Sequence, residues 1–303
     1  MDNAMADTRN VNLNRLAIFA AVVETGSLTA AAARLGIAKT MVSTHMQRLE
    51  TEVGANLLVR TTRRLSVTDA GQTLYEAAGE ILRTAEAALD AVAGEAGPLR
   101  GTLRVGAPID YGALVVAPAL VALRDAHPAL DVELICDDRR VDLVAERIDV
   151  AVRFGRLSDS NHRSVRIGGF ERWVVAPPAA IARWGRPAEP AALAGWPHAS
   201  LSTLQRPEFE LQHGDGRRAR VRCRRAFASN SMPAVHAALL AGCGFGIATS
   251  FSVEHDIAAG RLVRLLPDWS MPEADIHAIY PSTHHPSAKV RAAIDVLKAR
   301  LGG

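Results

Sequence analysis

The sequence predicts an α/β chain headed by a small, mostly helical winged domain. Three observations carry that prediction. Short helical patterns separated by glycines fill the segment from Leu13 to Gly54, a long amphipathic pattern runs from Thr68 to about Ala93, and strand and helix signals alternate from Thr102 onward. With 303 residues, 49% of them hydrophobic and 22% charged, the chain has material for two or three cores.

The formal charge is +3, and its placement says more than its size. Residues 1–68 hold eight Lys and Arg against five Asp and Glu, leaving 27 of each for the remainder. A small basic domain on a neutral body is the form of an electrostatic grip on phosphate. The opening MDNAMADTRN lacks the apolar core of a secretory or transit segment. The longest stretch without a full charge, Ala226 to Val253, is broken by Gly, Ser, Asn, Thr and Pro, so it reads as a helix, a glycine turn and a buried strand. A cytoplasmic protein is expected. Cys136, Cys223 and Cys243 lie too far apart for a disulfide framework or a zinc site and read as buried reduced thiols.

Asn12 or Asn14 caps a first helix in which Leu16, Phe19, Ala20 and Val23 form one apolar face, and Gly26 ends it. Ser27 or Thr29 starts a short alanine-rich second helix, which Gly36 stops in a left-handed conformation. A third helix is predicted from Lys39 to Val53, burying Val42, Met46, Leu49 and Val53. Its other face carries Lys39, Thr40, Ser43, Thr44 and Gln47, side chains of the kind that exchange hydrogen bonds with base edges in a major groove. Leu57 to Val67 then reads as a two-stranded wing whose tip carries Arg60, Arg63 and Arg64 beside phosphate.

The segment LNRLAIFAAVVETGSLTAAAARLGIAKTMVSTHMQRLETEVGANLLVRTTRRLSVTDAG resembles the DNA-binding domain of the LysR-type transcriptional regulators without a gap. The GSLTAAAARLGI helix-turn, the VS pair inside the third helix, the following RLE and the RTTRRLSVTDAG exit carry the likeness. It implies DNA contacts from Ser27, Thr29, Lys39, Thr40, Ser43, Thr44, Gln47, Arg60, Arg63 and Arg64. Two departures touch base reading. Ala38, Lys39 and Thr40 stand where the family has Ser-Gln-Pro, and Thr44 stands where an arginine commonly follows the VS pair.

Thr68 caps the long helix, with Asp69 complementing its dipole, and Gly94, Gly97 and Pro98 break it. Leu74, Ala78, Ile81, Ala85, Ala88 and Val92 are spaced as a heptad seam. Pairing of two subunits is expected from it, because two recognition helices related by a two-fold match a palindromic operator. The resemblance implies the same pairing, with tetramers common.

Beyond Pro98 the alternation reads as parallel sheet covered by helices, and the resemblance implies two Rossmann-like subdomains arranged as in type 2 periplasmic binding proteins. The expected domains are 1–68, 69–97 and 98–303, with subdomain I at about 98–162 and 269–303 and subdomain II at about 163–268. A small-molecule effector would lie between them, near strand ends. By resemblance its contacts are Pro108, Ile109, Asp110 and Tyr111, then Arg153 and Phe154, Leu201, Ser202 and Thr203, Ser229, Asn230 and Ser231, and Phe245 with Gly246. Free backbone N–H groups are expected to face the cavity at 107–111. Asp110 would repel an anion, so a donor or cation is expected on its side, with Arg153 holding an acidic end.

The run RRARVRCRR alternates basic and apolar residues and reads as a strand with one solvated face. GCGFGI lacks the strand and helix that a dinucleotide site needs, and His284-His285-Pro286 has no metal-ligating partners, so neither cofactor nor metal is expected. The reading is a non-enzymatic transcription regulator, with operator DNA, effector, its own copies and RNA polymerase as partners. An enzyme carrying a helix-turn-helix would need a nucleophile with its base, and a solute-binding module would leave the wing without a purpose.

Overall fold

The computed structural model describes residues 12–60, 65–93, 98–139, 143, 146–155, 162–202, 208–281 and 286–301. The chain falls into two compact units, one built on Met1–Gly97 and the other on Pro98–Leu143, Ile148–Ser282 and Lys289–Gly303.

In the first unit, α1 (Leu13–Thr25), α2 (Leu28–Leu35) and α3 (Lys39–Val53) are bounded by local chemistry. Asn12 caps α1 and Ser27 caps α2 through side-chain oxygens, while Gly26, Gly36 and Gly54 end the three helices at φ of 63°, 65° and 71°. Ala38 precedes α3 without a side-chain cap, so its carbonyl alone receives Met41 N and Val42 N. Leu16, Phe19, Val22, Val42, Met46 and Leu49 fill the core. Val53 does not join them. It is 46% exposed, because the last turn of α3 runs past that core.

Strands β1 (Leu58–Arg60) and β2 (Leu65–Val67) pair antiparallel as the wing, and α4 (Asp69–Ala93) follows. Thr68 caps α4 by accepting from Gly71 N at 2.9 Å. The heptad seam divides. Leu74 and Ala78 pack on the helical core of their own domain, whereas Ile81 and Ala88 lie exposed and Leu89 is 71% exposed.

Gly71 marks the closest approach of α4 to the wing, since a Cβ there would stand 2.2 Å from the Leu57 carbonyl oxygen and 2.8 Å from a Val67 methyl. Gly71→Ala should therefore destabilise this unit by about 1–3 kcal/mol, despite alanine's better helix propensity. Denaturant unfolding checks it. A neutral or stabilising change would contradict the packing.

The second unit contains two mixed five-stranded sheets. In subdomain I the order is β4-β3-β5-β15-β6, from β3 (Gly101–Ala107), β4 (Leu130–Cys136), β5 (Val150–Phe154), β6 (His162–Phe170) and β15 (Ala274–Pro281). The first three are parallel, and β15 runs antiparallel to both β5 and β6. After β3 come the short α5 (Ile109–Tyr111), a π-helical turn over Gly112–Val116 and α6 (Ala117–Ala126), where the sequence suggested one helix from Ala113. The predicted helix at 142–147 lies mostly outside the described residues. Helix α10 (Ala288–Leu301) buries Val290, Ala293, Ile294 and Leu297 in this core.

In subdomain II the order is β11-β8-β12-β7-β13, from β7 (Arg172–Ala176), β8 (Pro197–Leu201), β11 (Arg224–Ser229), β12 (Phe245–Thr249) and β13 (Val263–Leu265). A three-stranded sheet β10-β9-β14 adds β9 (Glu208–His213), β10 (Arg218–Arg222) and β14 (Trp269–Ser270). Helices α7 (Pro178–Trp184), α8 (Met232–Leu240) and α9 (Ser250–Ala258) complete it. The arginine run has the solvated face expected of it, with Arg218, Arg220 and Arg222 exposed and Val221 buried.

Two details correct the expectations. Residues 163–170 belong to subdomain I, because β6 pairs with β15 along its whole length, and Trp269–Ser270 belong to subdomain II through pairing with β9. Ala226–Ser229 is strand rather than the start of a helix.

Gly244 joins α8 to β12 at φ +63°, and a Cβ there would meet the Pro197 carbonyl oxygen at 2.0 Å. Left-handed strain and this backbone clash together predict a loss of about 3 kcal/mol for Gly244→Ala. Gly242, at φ +96° with open space around it, isolates the strain, so Gly242→Ala should cost less. Equal losses at the two sites would remove the clash from the explanation.

Candidate functional site

The first candidate surface is the outer face of α3. Lys39, Thr40, Thr44 and Gln47 are exposed and Ser43 is half-buried. Thr44 Oγ1 donates to Thr40 O at 2.9 Å, so its proton is committed to the helix backbone and its lone pairs face outward as acceptors. Ser27 is the N-cap of α2 and Thr29 is exposed in its first turn. Arg60 ends β1, while Arg63 and Arg64 fall outside the described residues. Arg48, which the sequence reading did not single out, is exposed four residues beyond Thr44 on the same face. Helical spacing from Thr44 was the available signal.

The second candidate lies where subdomains I and II meet. The segment Pro108–Tyr111 follows the C-terminal end of β3, and Phe154 ends the neighbouring β5. Across from them, α8 and α9 of subdomain II pack against α5. Tyr111 meets Phe154 edge-on at 5.3 Å and Phe251 of α9 at 5.1 Å, while Phe170 stands 4.7 Å from Phe154 and 5.4 Å from Phe251. These four rings join the two subdomains. Phe251 was not among the expected contacts.

The backbone at α5 differs from the anion cradle expected there. Ile109 N donates to Asp138 Oδ1 at 3.0 Å, Tyr111 N to Asp110 Oδ1 at 2.8 Å and Gly112 N to Pro108 O at 2.7 Å. The donors are filled from within the chain. Burial raises the Asp110 carboxyl above its ordinary range and the charge of Asp138 adds to this, against the bond from Tyr111 N. Burial raises the Tyr111 hydroxyl as well, and that oxygen has no hydrogen-bond partner among the described residues.

Arg153 and Phe154 point to opposite faces of β5, Arg153 toward Asp137, whose low carboxyl it helps to hold. Leu201 and Ser202 end β8 beside Ser229, with Ser202 N donating to Ser229 O at 2.8 Å, and Ser231 N donates to Ser229 Oγ. Asn230 is exposed in the same turn, and Thr203 lies outside the described residues. Phe245 and Gly246 are not brought to this cluster. They begin β12, opposite His198 and Ala199 near the start of the parallel β8, so the strand end nearest α5 is Thr249, leading to Phe251.

Behind the cluster, buried Asp256 of α9 accepts from Arg261 Nε at 2.5 Å and faces His236 Nε2 of α8 at 2.7 Å, tying the two helices together. Among the described residues no group of three or more His, Cys, Asp or Glu is placed to hold a metal ion, and no helix is long and apolar enough to cross a membrane. Cys223 is buried and its thiol pushed up to about 11 by that burial, whereas Cys136 is exposed, which corrects its reading as a buried thiol.

Two family models match the chain. Residues 13–72 match the bacterial regulatory helix-turn-helix protein of the lysR family, and residues 96–302 match the LysR substrate binding domain. The chain belongs to the LysR family of transcriptional regulators. The regulator PtxR of Pseudomonas aeruginosa is 38% identical, over 100% of this chain and 97% of its own. DmlR of Escherichia coli is 32% identical, over 94% and 93%. The structure of the LysR-type regulator CrgA from Neisseria meningitidis aligns at a TM-score of 0.62 and 28% identity, covering 97% of this chain and 100% of that one. The full-length structure of the Vibrio cholerae virulence activator AphB gives 0.60 at 25% identity, over 95% and 99%. This LysR-type regulator accordingly pairs a DNA-binding helix-turn-helix with an effector-binding domain, and its relatives are regulators rather than enzymes.

Proposed function

We propose that this regulator binds an inverted-repeat operator as a homo-oligomer paired through α4, reading bases with Lys39, Thr40, Ser43, Thr44 and Gln47. Ser27, Thr29, Arg60, Arg63 and Arg64 take phosphates and set the register. An effector seated between α5 and the α8–α9 pair changes the spacing of the subdomains and thereby the DNA contact, which alters transcription by RNA polymerase in the cytoplasm. Pro108 to Tyr111, Arg153, Phe154, Leu201 to Thr203 and Ser229 to Ser231 remain its proposed contacts. Phe245 and Gly246 support the sheet instead.

The observation that carries this reading is the exposed polar face of α3 within a segment matching the lysR helix-turn-helix. Selection of binding sites from random duplexes with the purified full chain tests it. Enrichment of a two-fold repeat is the expected result, and a pool without a common sequence after several rounds would reject it.

A further inference from the structure

The turn after β3 is closed to anions. Both carboxylates, Asp110 and Asp138, already occupy the Ile109 and Tyr111 N–H groups that an anionic ligand would need, and neither has an ion-pair partner among the described residues. A second observation stands apart from these acids. The Tyr111 hydroxyl is fully buried and unpartnered, on a ring that meets Phe251 across the boundary between the subdomains. Buried polar groups are nearly always satisfied, so an unpartnered one in a ligand-binding domain points to something that completes it. The π-helical turn beginning at Gly112 is of a kind frequent at functional sites, and Gly112 itself has no space for a side chain, with Cys136 Sγ 2.5 Å from where its Cβ would be.

We infer that the effector of this regulator is an organic ammonium compound, placing its N–H groups on Asp110, Asp138 and the Tyr111 hydroxyl and its apolar body against the rings of Tyr111, Phe154 and Phe251. The cation supplies the charge that the two carboxylates lack, and the electron-rich ring faces favour it further. Compounds whose only charge is negative meet like charge at this turn. The inference rests on the cleft being the effector site.

Calorimetric titration of the full chain at pH 7 with benzylammonium chloride, putrescine dihydrochloride, sodium benzoate and disodium succinate tests it. Saturable binding of at least one ammonium salt, weakened tenfold or more in Asp110→Asn and kept in Asp110→Glu, is expected. Tyr111→Phe separates a ligand role from a structural one: it should raise the Tm of the unliganded protein, by removing an unsatisfied hydroxyl, and weaken ammonium binding. Binding of benzoate or succinate that Asp110→Asn strengthens or leaves unchanged, with no ammonium binding, would overturn the ammonium class while leaving the effector cleft standing. Binding by neither series, or ammonium binding untouched by all three substitutions, would overturn the inference as well.

Discussion

Replacing Lys39 and Gln47 together by alanine is expected to weaken operator binding on the order of a thousandfold without unfolding the protein. Both side chains are exposed on α3, away from the buried Val42, Met46 and Leu49, so truncation removes no core packing. A base contact contributes about 1 kcal/mol at the low end of its range. Two contacts per recognition helix, present twice in a dimer, amount to about 4 kcal/mol, or on the order of a thousandfold. Fluorescence anisotropy on the selected site and on an unrelated duplex separates base reading from phosphate contact. A loss confined to the selected site marks base contacts, whereas an equal loss on both, with a shallower salt dependence, would move the two side chains to the backbone. Affinity within threefold of wild type on both duplexes would exclude α3 as the reading element.

The second large effect is on stability at low pH. His198 lies in the core of subdomain II, 4% exposed and stacked on Phe245 at 4.8 Å, with neither ring nitrogen hydrogen-bonded among the described residues. Burial, and then the charge of Arg225, depress it from 6.5 to about 4. The unfolded chain therefore takes up a proton near pH 6.5 that the folded chain accepts only near pH 4. Stability is fully present above pH 6.5 and declines as pH falls from there to about 4, by about 3 kcal/mol from this group alone. His198→Phe should flatten that part of the profile. An unchanged slope between pH 6.5 and 4 in the variant would contradict the assignment.

What the sequence made visible follows from how local each cause is. Asn12, Ser27 and Thr68 cap their own helices and Gly26 and Gly36 end them within one turn, so α1 to α4 and the wing could be read residue by residue. The alternation of Arg218, Arg220 and Arg222 with Ala219 and Val221 likewise reports a single strand. The effector cleft depends on contacts between distant segments. Asp138 fills the Ile109 N–H from 29 residues away, and Phe251 reaches Tyr111 from the other subdomain, and no periodicity encodes either. Phe245 was misplaced for a related reason. A glycine-rich turn announces that a strand begins, and the end that faces the cleft is decided by the parallel pairing of β12 with β8.

The dividing seam of α4 has the same origin. Its heptad spacing is real, but Leu74 and Ala78 are used by their own domain, and the apolar surface left for a second subunit lies further along, at Ile81, Ala88 and Leu89. A periodicity of four and three does not say which of two surfaces it covers.

Footprinting of the purified full chain on the DNA upstream of its own gene tests the account most directly. Two protected half-sites, centred about 10 base pairs or a multiple of that apart and lost together in the Lys39→Ala, Gln47→Ala protein, are the predicted result. A single unpaired protected site, or protection that survives the double substitution, would contradict it.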